Sequence, residues 1–521
     1  VAETANSMQK KESGFGRFLH GVEVVGNKLP DTVIIFIVLD IVVVLISWMG
    51  SLFGWSTVHP GTGKAVSVYN LLSPEGLQYM FTNMYQNFSS FAPFSIAMPL
   101  FLAVGIMNVS GLMESLFVGL GSKVKPQLLT VIIIFIGVMS NLMSDAGFAI
   151  LPPLAAMLFM SVGRNPILGM CCAYTACGAG MAANLLIGIS DARISATSQA
   201  AAQILDPAMV VLPTCNWYFI AAAAIVLTIA AAWATDKWLE PRMPRTGDWN
   251  NEEFGVKKVD LASYHATPLQ KKGMVAAGLS LLILAAIVLI GVLPSWGFFR
   301  TKDGPSIFGA QATQLGAIVT AIIFFIGVPG IVYGKVVGTV PDGKALSSAM
   351  ARGVTDIAPF IVLCFFAGQF TAWFAKSNLG IVFSINGANF LRNIGLSGLP
   401  LMICLILLTI VLDIFLPSSN AKWAILAPVL IPMFMLLGYH PAMTQMVYRI
   451  GDSIVNSITP LMAFFALLLG LAKQYDKKAG IGTVMSLLMP YTLIYGIAWT
   501  LLFVIWFLFK LPLGPGGPLF L

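Results

Sequence analysis

Residues 421–441 read AKWAILAPVLIPMFMLLGYHP, and residues 146–166 read AGFAILPPLAAMLFMSVGRNP, a constant offset of 275 without a gap. Nine of the 21 positions are identical, including Pro153/Pro428, Gly163/Gly438 and Pro166/Pro441, and Phe148 and Trp423 form an aromatic pair. Each copy follows a small polar cluster: Asn141, Ser144 and Asp145 in the first, Ser418, Ser419 and Asn420 in the second. Working outward from the second copy, Tyr448-Arg-Ile-Gly-Asp452 lies just beyond it, followed by Asn456 and Pro460. Unpaired backbone in hydrocarbon costs several kcal/mol per group, so broken helices survive at membrane depth only inside protein or around a cavity. Interrupted apolar segments at matching places in two halves point to a transport site. Arg449 and Asp452 are three apart, on one helical face, where each can help neutralise the other.

Composition supports that setting. Of 521 residues, 58% are hydrophobic and 10% charged, and mean hydropathy is +0.87. Soluble domains average about 25% charged residues. The apolar runs approach the ~20 residues a spanning helix needs, and no ten-residue alternation suggests a β-barrel. The chain is therefore an all-α polytopic membrane protein. The net charge of +7 is orientation charge and implies no nucleic acid. Six cysteines lie in or beside apolar runs without metal spacing, and the four histidines are scattered. No nucleophile–base set or metal set points to an enzyme, and no nucleotide motif points to a primary pump.

The pattern predicts about nine transmembrane helices plus two re-entrant hairpins in an inverted-topology repeat. A polar, basic N-terminal segment (1–30) lacks the apolar core of a signal peptide. A first half (31–235) has helices near 31–53, 94–118, 166–189 and 217–233, with a hairpin at 127–163 whose arms, each about 17 residues, could alternatively be two full helices. Residues 191–214 read as a polar loop, and 236–272 as a larger basic one. A second half (273–511) has helices near 273–293, 310–334, 357–375, 442–471 and 481–510, with a hairpin at 399–437. The Gly/Ala-rich run 177–184 suits either close helix packing or an unwound segment that meets substrate. With the N-terminus cytoplasmic and the C-terminus periplasmic, cytoplasmic loops hold 20 Lys/Arg, outer loops six and the C-terminal end one. This satisfies the positive-inside rule. Five crossings separate the hairpins, so the two copies are inverted.

Beyond the repeat, Asn216-Trp-Tyr-Phe219, Thr235-Asp-Lys-Trp-Leu-Glu-Pro241, Asn184-Leu-Leu186 with Asp191, and Tyr448-Arg-Ile-Gly-Asp452 are similar to the p-aminobenzoyl-glutamate transporter (AbgT) family. The resemblance covers nearly the whole chain, from Gly26 to Pro515. It implies an inner-membrane homodimer that moves p-aminobenzoyl-glutamate or sulfonamide antimetabolites by secondary transport. It also implies coupling to Na⁺ or H⁺, with no other cofactor. Matching motif positions point to Asp191, Trp423, Pro441, Arg449, Asp452 and Pro460. The hairpin tips resemble the Ser-Asn-Thr tips of the wider ion-transporter group. Alanine replaces threonine in both, at Ala146 and Ala421, which counts against a directly copied sodium site.

For a small aromatic carboxylate substrate, the candidate contacts are Asn184, Asp191, Ser418, Ser419, Asn420, Trp423, Pro441, Arg449, Asp452 and Pro460. Arg449 can clamp a carboxylate in two-pronged fashion, or only pair with Asp452. Trp423 can stack on the aminobenzoyl ring, or simply pack. Ion coupling falls to Ser144, Asp145, Asp191, Asn420 and Asp452, with Na⁺ placed near Asp145, Asn184 and Asn420. Asp413, in the first arm of the second hairpin, is a further candidate for either role. A sodium-coupled carrier of other small carboxylates is the alternative function.

Overall fold

The computed structural model describes residues 32–58, 63–121, 128–143, 146–243, 266–292, 297, 312–459, 461–462, 464–476 and 479–521. Helices α1 (Thr32–Leu52), α2 (Pro74–Ser89), α3 (Ala92–Ser110) and α4 (Leu112–Gly121) open it, with a small antiparallel pair, β1 (Ser56–Val58) and β2 (Ala65–Ser67), after α1. The first repeat follows as α5 (Leu129–Met139), α6 (Ala146–Ser161), α7 (Pro166–Ala179), α8 (Ile189–Ala202) and α9 (Trp217–Trp233). Helices α10 (Pro268–Val292), α11 (Ala312–Val337), α12 (Gly343–Lys376) and α13 (Leu379–Asn393) intervene. The second repeat is α14 (Gly398–Phe415), α15 (Ser419–Leu436), α16 (Pro441–Val455), α17 (Phe465–Tyr475) and α18 (Ile481–Leu508).

The 275-residue offset holds for whole elements. Shifted by 275, α5 becomes 404–414, inside α14, and α6 becomes 421–436, inside α15. Likewise α7 becomes 441–454, α8 becomes 464–477 and α9 becomes 492–508, which match α16, α17 and the latter part of α18. The caps match too. Asn165 accepts from the backbone N–H of Ile167 and Leu168 (2.9 and 3.2 Å), and His440 Nδ1 accepts from Ala442 N–H (3.2 Å). Proline takes the first turn of both helices, where its missing N–H costs nothing.

Nine helices among the described residues are long and apolar enough to cross a membrane. Seven correspond to helices expected from the sequence, and the other two are the arms of the second hairpin, α14 and α15. The expected helices 166–189 and 442–471 are each broken, the second between Val455 and Phe465, the stretch whose internal Pro460 predicts a kink or break. After α7 the chain makes a 3-10 turn at Gly180–Ala182, runs extended, and restarts as α8. The polar run 191–214, read as loop, is thus helical to Ala202. Its alanines favour helix, and the Asp191 carboxylate accepts the Gly188 N–H at 2.6 Å to start it. Residues 379–393 are also helix, and 343–356 belong to the long α12.

The two breaks meet. A Cβ on Gly178 would lie 2.5 Å from Ser457 Oγ, and one on Gly180 would lie 2.7 Å from Val138 Cα. Asn456 Nδ2 reaches Met181 Sδ at 3.1 Å, two residues that are themselves 275 apart. The Gly/Ala-rich run therefore does both things open to it: it permits close packing and it unwinds. Each hairpin reaches over to the other half. Phe148 stacks on Phe464 (5.2 Å, 5°), and Trp423 Nε1 donates to Ser198 Oγ on α8 (2.9 Å).

The rest of the molecule packs through helix crossings. Helices α3 and α12 touch at Gly105 and Gly353, where a Cβ on Gly353 would run into the Phe101 carbonyl oxygen. Gly353→Ala forces these helices apart, and overpacking of this kind costs about 1–3 kcal/mol. Thermal unfolding in detergent should show a midpoint several degrees lower; an unchanged midpoint would contradict this contact.

His440 lies in the turn between α15 and α16, outside the spanning segments, and its N–H donates to the Leu519 carbonyl (3.0 Å). Burial pushes its imidazole down from 6.5 to about 4, because the charged form loses its water. The unfolded chain therefore binds a proton near pH 6.5 that the folded one refuses. Stability from this group is complete above pH 6.5 and is lost as pH falls through about 4. His440→Asn installs the cap already used by Asn165. It should flatten the unfolding midpoint across that window, with no change at pH 8.

Candidate functional site

The breaks, both hairpins and helices α3, α8 and α12 enclose a cavity of about 530 Å³. The tip of the second hairpin lines it with Ser418, Ser419 and Asn420, and α16 contributes Arg449 and Asp452. Asn141 comes from the tip of the first hairpin, Met181 from the first break and Phe464 from beside the second. Arg193 on α8 completes the polar wall, with Asp356 opposite in α12. The Arg193 guanidinium lies between the rings of Phe101 and Phe360, 5.5 and 5.4 Å from their centroids. Such cation–π placement helps hold the side chain in position.

Five buried charges lie in and behind this wall. Arg449 Nη1 is 2.6 Å from Asp191 Oδ1, each about 2% exposed. Lys422 Nζ contacts Asp413 Oδ1 and also lies 2.8 Å from Asp452 Oδ1. The expected Arg449–Asp452 pairing is thus replaced: Arg449 pairs across to α8, and Asp452 pairs with the hairpin lysine. Spacing of three along a helix puts the two side chains on one face, but each finds a partner packed against that face. Tyr448 joins the set, its hydroxyl donating to the Ser419 carbonyl at 2.6 Å and lying 3.4 Å from Asp452 Oδ1. Beyond the ion pair with Asp191, Arg449 Nε and Nη2 have no hydrogen-bond partner among the described residues, although the residue is 1% exposed. A buried guanidinium with open donors on a cavity wall suits an anionic guest.

A neutral network braces these charges. Trp423 is fully buried and stacks on Tyr448 (4.3 Å, 24°), behind the cavity wall. Ser198 donates to Gln445 Oε1 (2.7 Å), Gln445 donates to Asn216 Oδ1 (2.6 Å), and Asn216 donates to the Ala442 carbonyl (2.8 Å). The chain of bonds runs from hairpin to α8 to α16 to the start of α9. Pro441 is buried at the first turn of α16 and does not line the cavity. Asn184 lies in the first break, its Oδ1 without a hydrogen-bond partner among the described residues. Ser144, Asp145 and Pro460 fall outside the described residues.

Sequence reasoning passed over Lys422 and Arg193. Lys422 stood out only as a cation in an apolar arm. Arg193 counted as an outer-loop charge because its helix read as loop. The signal for both was the same: a basic residue within five positions of a polar tip or break.

The "AbgT putative transporter family" matches residues 17–521. The chain belongs to the AbgT transporter family. It is 38% identical over 502 residues to the p-aminobenzoyl-glutamate transport protein of Escherichia coli K12, with 96% of each chain covered. The AbgT-family protein also superposes on the YdaH transporter of Alcanivorax borkumensis, described as having an unusual topology (TM-score 0.87, 35% identity, covering 93% of this chain and all of that one). It superposes on MtrF of Neisseria gonorrhoeae, one of a class of antimetabolite efflux pumps (TM-score 0.89, 36% identity, covering 96% and 100%). It is a multi-pass membrane transporter and not an enzyme.

Lys422→Met strands two carboxylates with one partner removed. Breaking a buried pair this way costs about 3–5 kcal/mol. In thermal unfolding the single variant should be strongly destabilised. Adding Asp413→Asn should recover part of the loss, and strict additivity would show that the pair is not coupled.

Proposed function

We propose that this AbgT-family protein moves p-aminobenzoyl-glutamate, or related aromatic amides including sulfonamide antimetabolites, across the bacterial inner membrane by ion-coupled alternating access. The observation that carries the reading is the cavity where both hairpins and both broken helices converge, with two arginines and aromatic rings in its wall. A glutamate moiety offers two carboxylates. Arg449, with open Nε and Nη2 donors, and Arg193, held between Phe101 and Phe360, match them in number. Ser418, Ser419 and Asn420 supply uncharged contacts for the amide, and Phe464 an aromatic surface. The first hairpin's arms, 11 and 16 residues, fall short of the ~20 needed to span, which supports a re-entrant hairpin. Inverted halves that exchange conformations switch the open side.

The Lys/Arg distribution supports a cytoplasmic N-terminus and a periplasmic C-terminus, and the family resemblance supports a homodimer. The measurement is flux of labelled p-aminobenzoyl-glutamate and of a sulfonamide in proteoliposomes, under a pH gradient and then a sodium gradient. Arg449→Ala should abolish flux. Arg193→Gln should raise KM roughly 10- to 100-fold, the effect of losing one charged hydrogen bond of about 1.5–3 kcal/mol. Wild-type KM in Arg193→Gln would remove that residue from the site. Movement of small aliphatic dicarboxylates instead of the amide would favour the sodium-coupled carboxylate carrier.

A further inference from the structure

We propose that Asp413 carries the coupling proton of this transporter, on Oδ2, and that Lys422 links its protonation to docking of the second hairpin. The inference rests on the ion-coupled reading above and specifies its ion.

The buried set holds three carboxylates, Asp191, Asp413 and Asp452, against two cations, Lys422 and Arg449. All five are at most 2% exposed. Fully ionised, the set carries one uncompensated negative charge, and burying such a charge is costly enough that the group neutralises instead. Arg193 and Asp356, the other charges on the cavity wall, are one of each sign and leave the count unchanged.

The contacts say which carboxylate is neutralised. Asp191 has the Arg449 guanidinium and the Gly188 N–H. Asp452 has Lys422 and Tyr448 at Oδ1 and the Asn456 amide at Oδ2 (3.4 Å). Asp413 has Lys422 alone at Oδ1, and Oδ2 has no hydrogen-bond partner among the described residues. The elements packed on α14 bring no other charge to it. From α15 comes Lys422, and from α16 Asp452 with Tyr448, while α18 contains no Asp, Glu, Lys, Arg or His. A bare Na⁺ needs several oxygen ligands, which Oδ2 lacks. A proton needs one.

The arrangement couples this proton to movement. Asp413 and Lys422 both belong to the second hairpin, whereas Asp452 belongs to α16. With the hairpin docked, Lys422 is shared with Asp452, and Asp413 takes up one proton at Oδ2. With the hairpin lifted, Lys422 stays on Asp413 as a neutral pair, the proton leaves, and Asp452 faces the cavity water. The lifted hairpin is thus neutral, and the single positive charge of the docked hairpin is offset by Asp452.

The test is infrared difference spectroscopy of purified protein in lipid nanodiscs, acid against alkaline buffer. The wild type should show a titrating protonated-carboxyl C=O band. Asp413→Asn should lose it, and Asp452→Asn should keep it. A band that survives Asp413→Asn, or vanishes in Asp452→Asn, overturns the proposal. The second variant decides the matter if the first fails to fold. In proteoliposomes, Asp413→Asn should cut accumulation driven by a pH gradient at least tenfold. Wild-type transport driven by sodium alone would overturn this inference and leave the transport reading standing. Absence of any flux would overturn the substrate reading, and the spectra would still decide the proton site.

Discussion

Everything at the centre of this protein depends on holding ionic side chains out of water. Arg449, Asp191, Lys422, Asp413 and Asp452 are all buried. Desolvating such groups costs several kcal/mol each, offset only by close partners with good geometry. That demand explains the architecture around them. A helix restarts at Gly188 so that Asp191 can face Arg449. A hairpin folds over so that Lys422 can reach α16. The Trp423–Ser198–Gln445–Asn216 chain fixes the helices at the separation these contacts require. Polar networks of this kind rigidify when every member is satisfied, and the open donors of Arg449 mark where the network is left incomplete.

The two halves share a fold and differ in charge. Stepping back by 275 from Asp413, Lys422, Arg449 and Asp452 gives Val138, Gly147, Tyr174 and Cys177. At the position equivalent to Lys422, a Cβ on Gly147 would run into Ser140, with Cys177 Sγ only 3.4 Å away. The first half thus packs tightly where the second holds its ions. Phe148 meets Tyr174 and Phe464 there by ring contacts alone. The second half supplies four of the five buried charges, and Asp191 of the first half supplies the fifth.

Much of this was legible in the sequence. The constant offset, the matching prolines and the polar tips revealed the repeat, and Arg449, Asp452 and the hairpin-tip residues line the cavity. The pairing scheme was hidden because an i, i+3 spacing shows shared faces, whereas the partners of Arg449 and Asp452 come from α8 and α15. Helix α8 was hidden because its Ala, Ser and Gln residues pack inside protein and need no apolar face toward lipid. Losing α8 as a helix also lost Arg193. Lys422 and Asp413 face each other only because the hairpin turns between them.

The ion pair between Arg449 and Asp191 joins the two repeats, and this bears on how the chain is made. Synthesis delivers the first half well before the second, so Asp191 must wait in the bilayer for its partner. Arg449 then enters at a cost on the order of 2.5–3.5 kcal/mol for a lone arginine at mid-depth, relieved only once α8 is in place. The first half acts as a template for insertion of the second. Separately expressed halves would each carry an unmatched charge, and those charges would drive them to find one another.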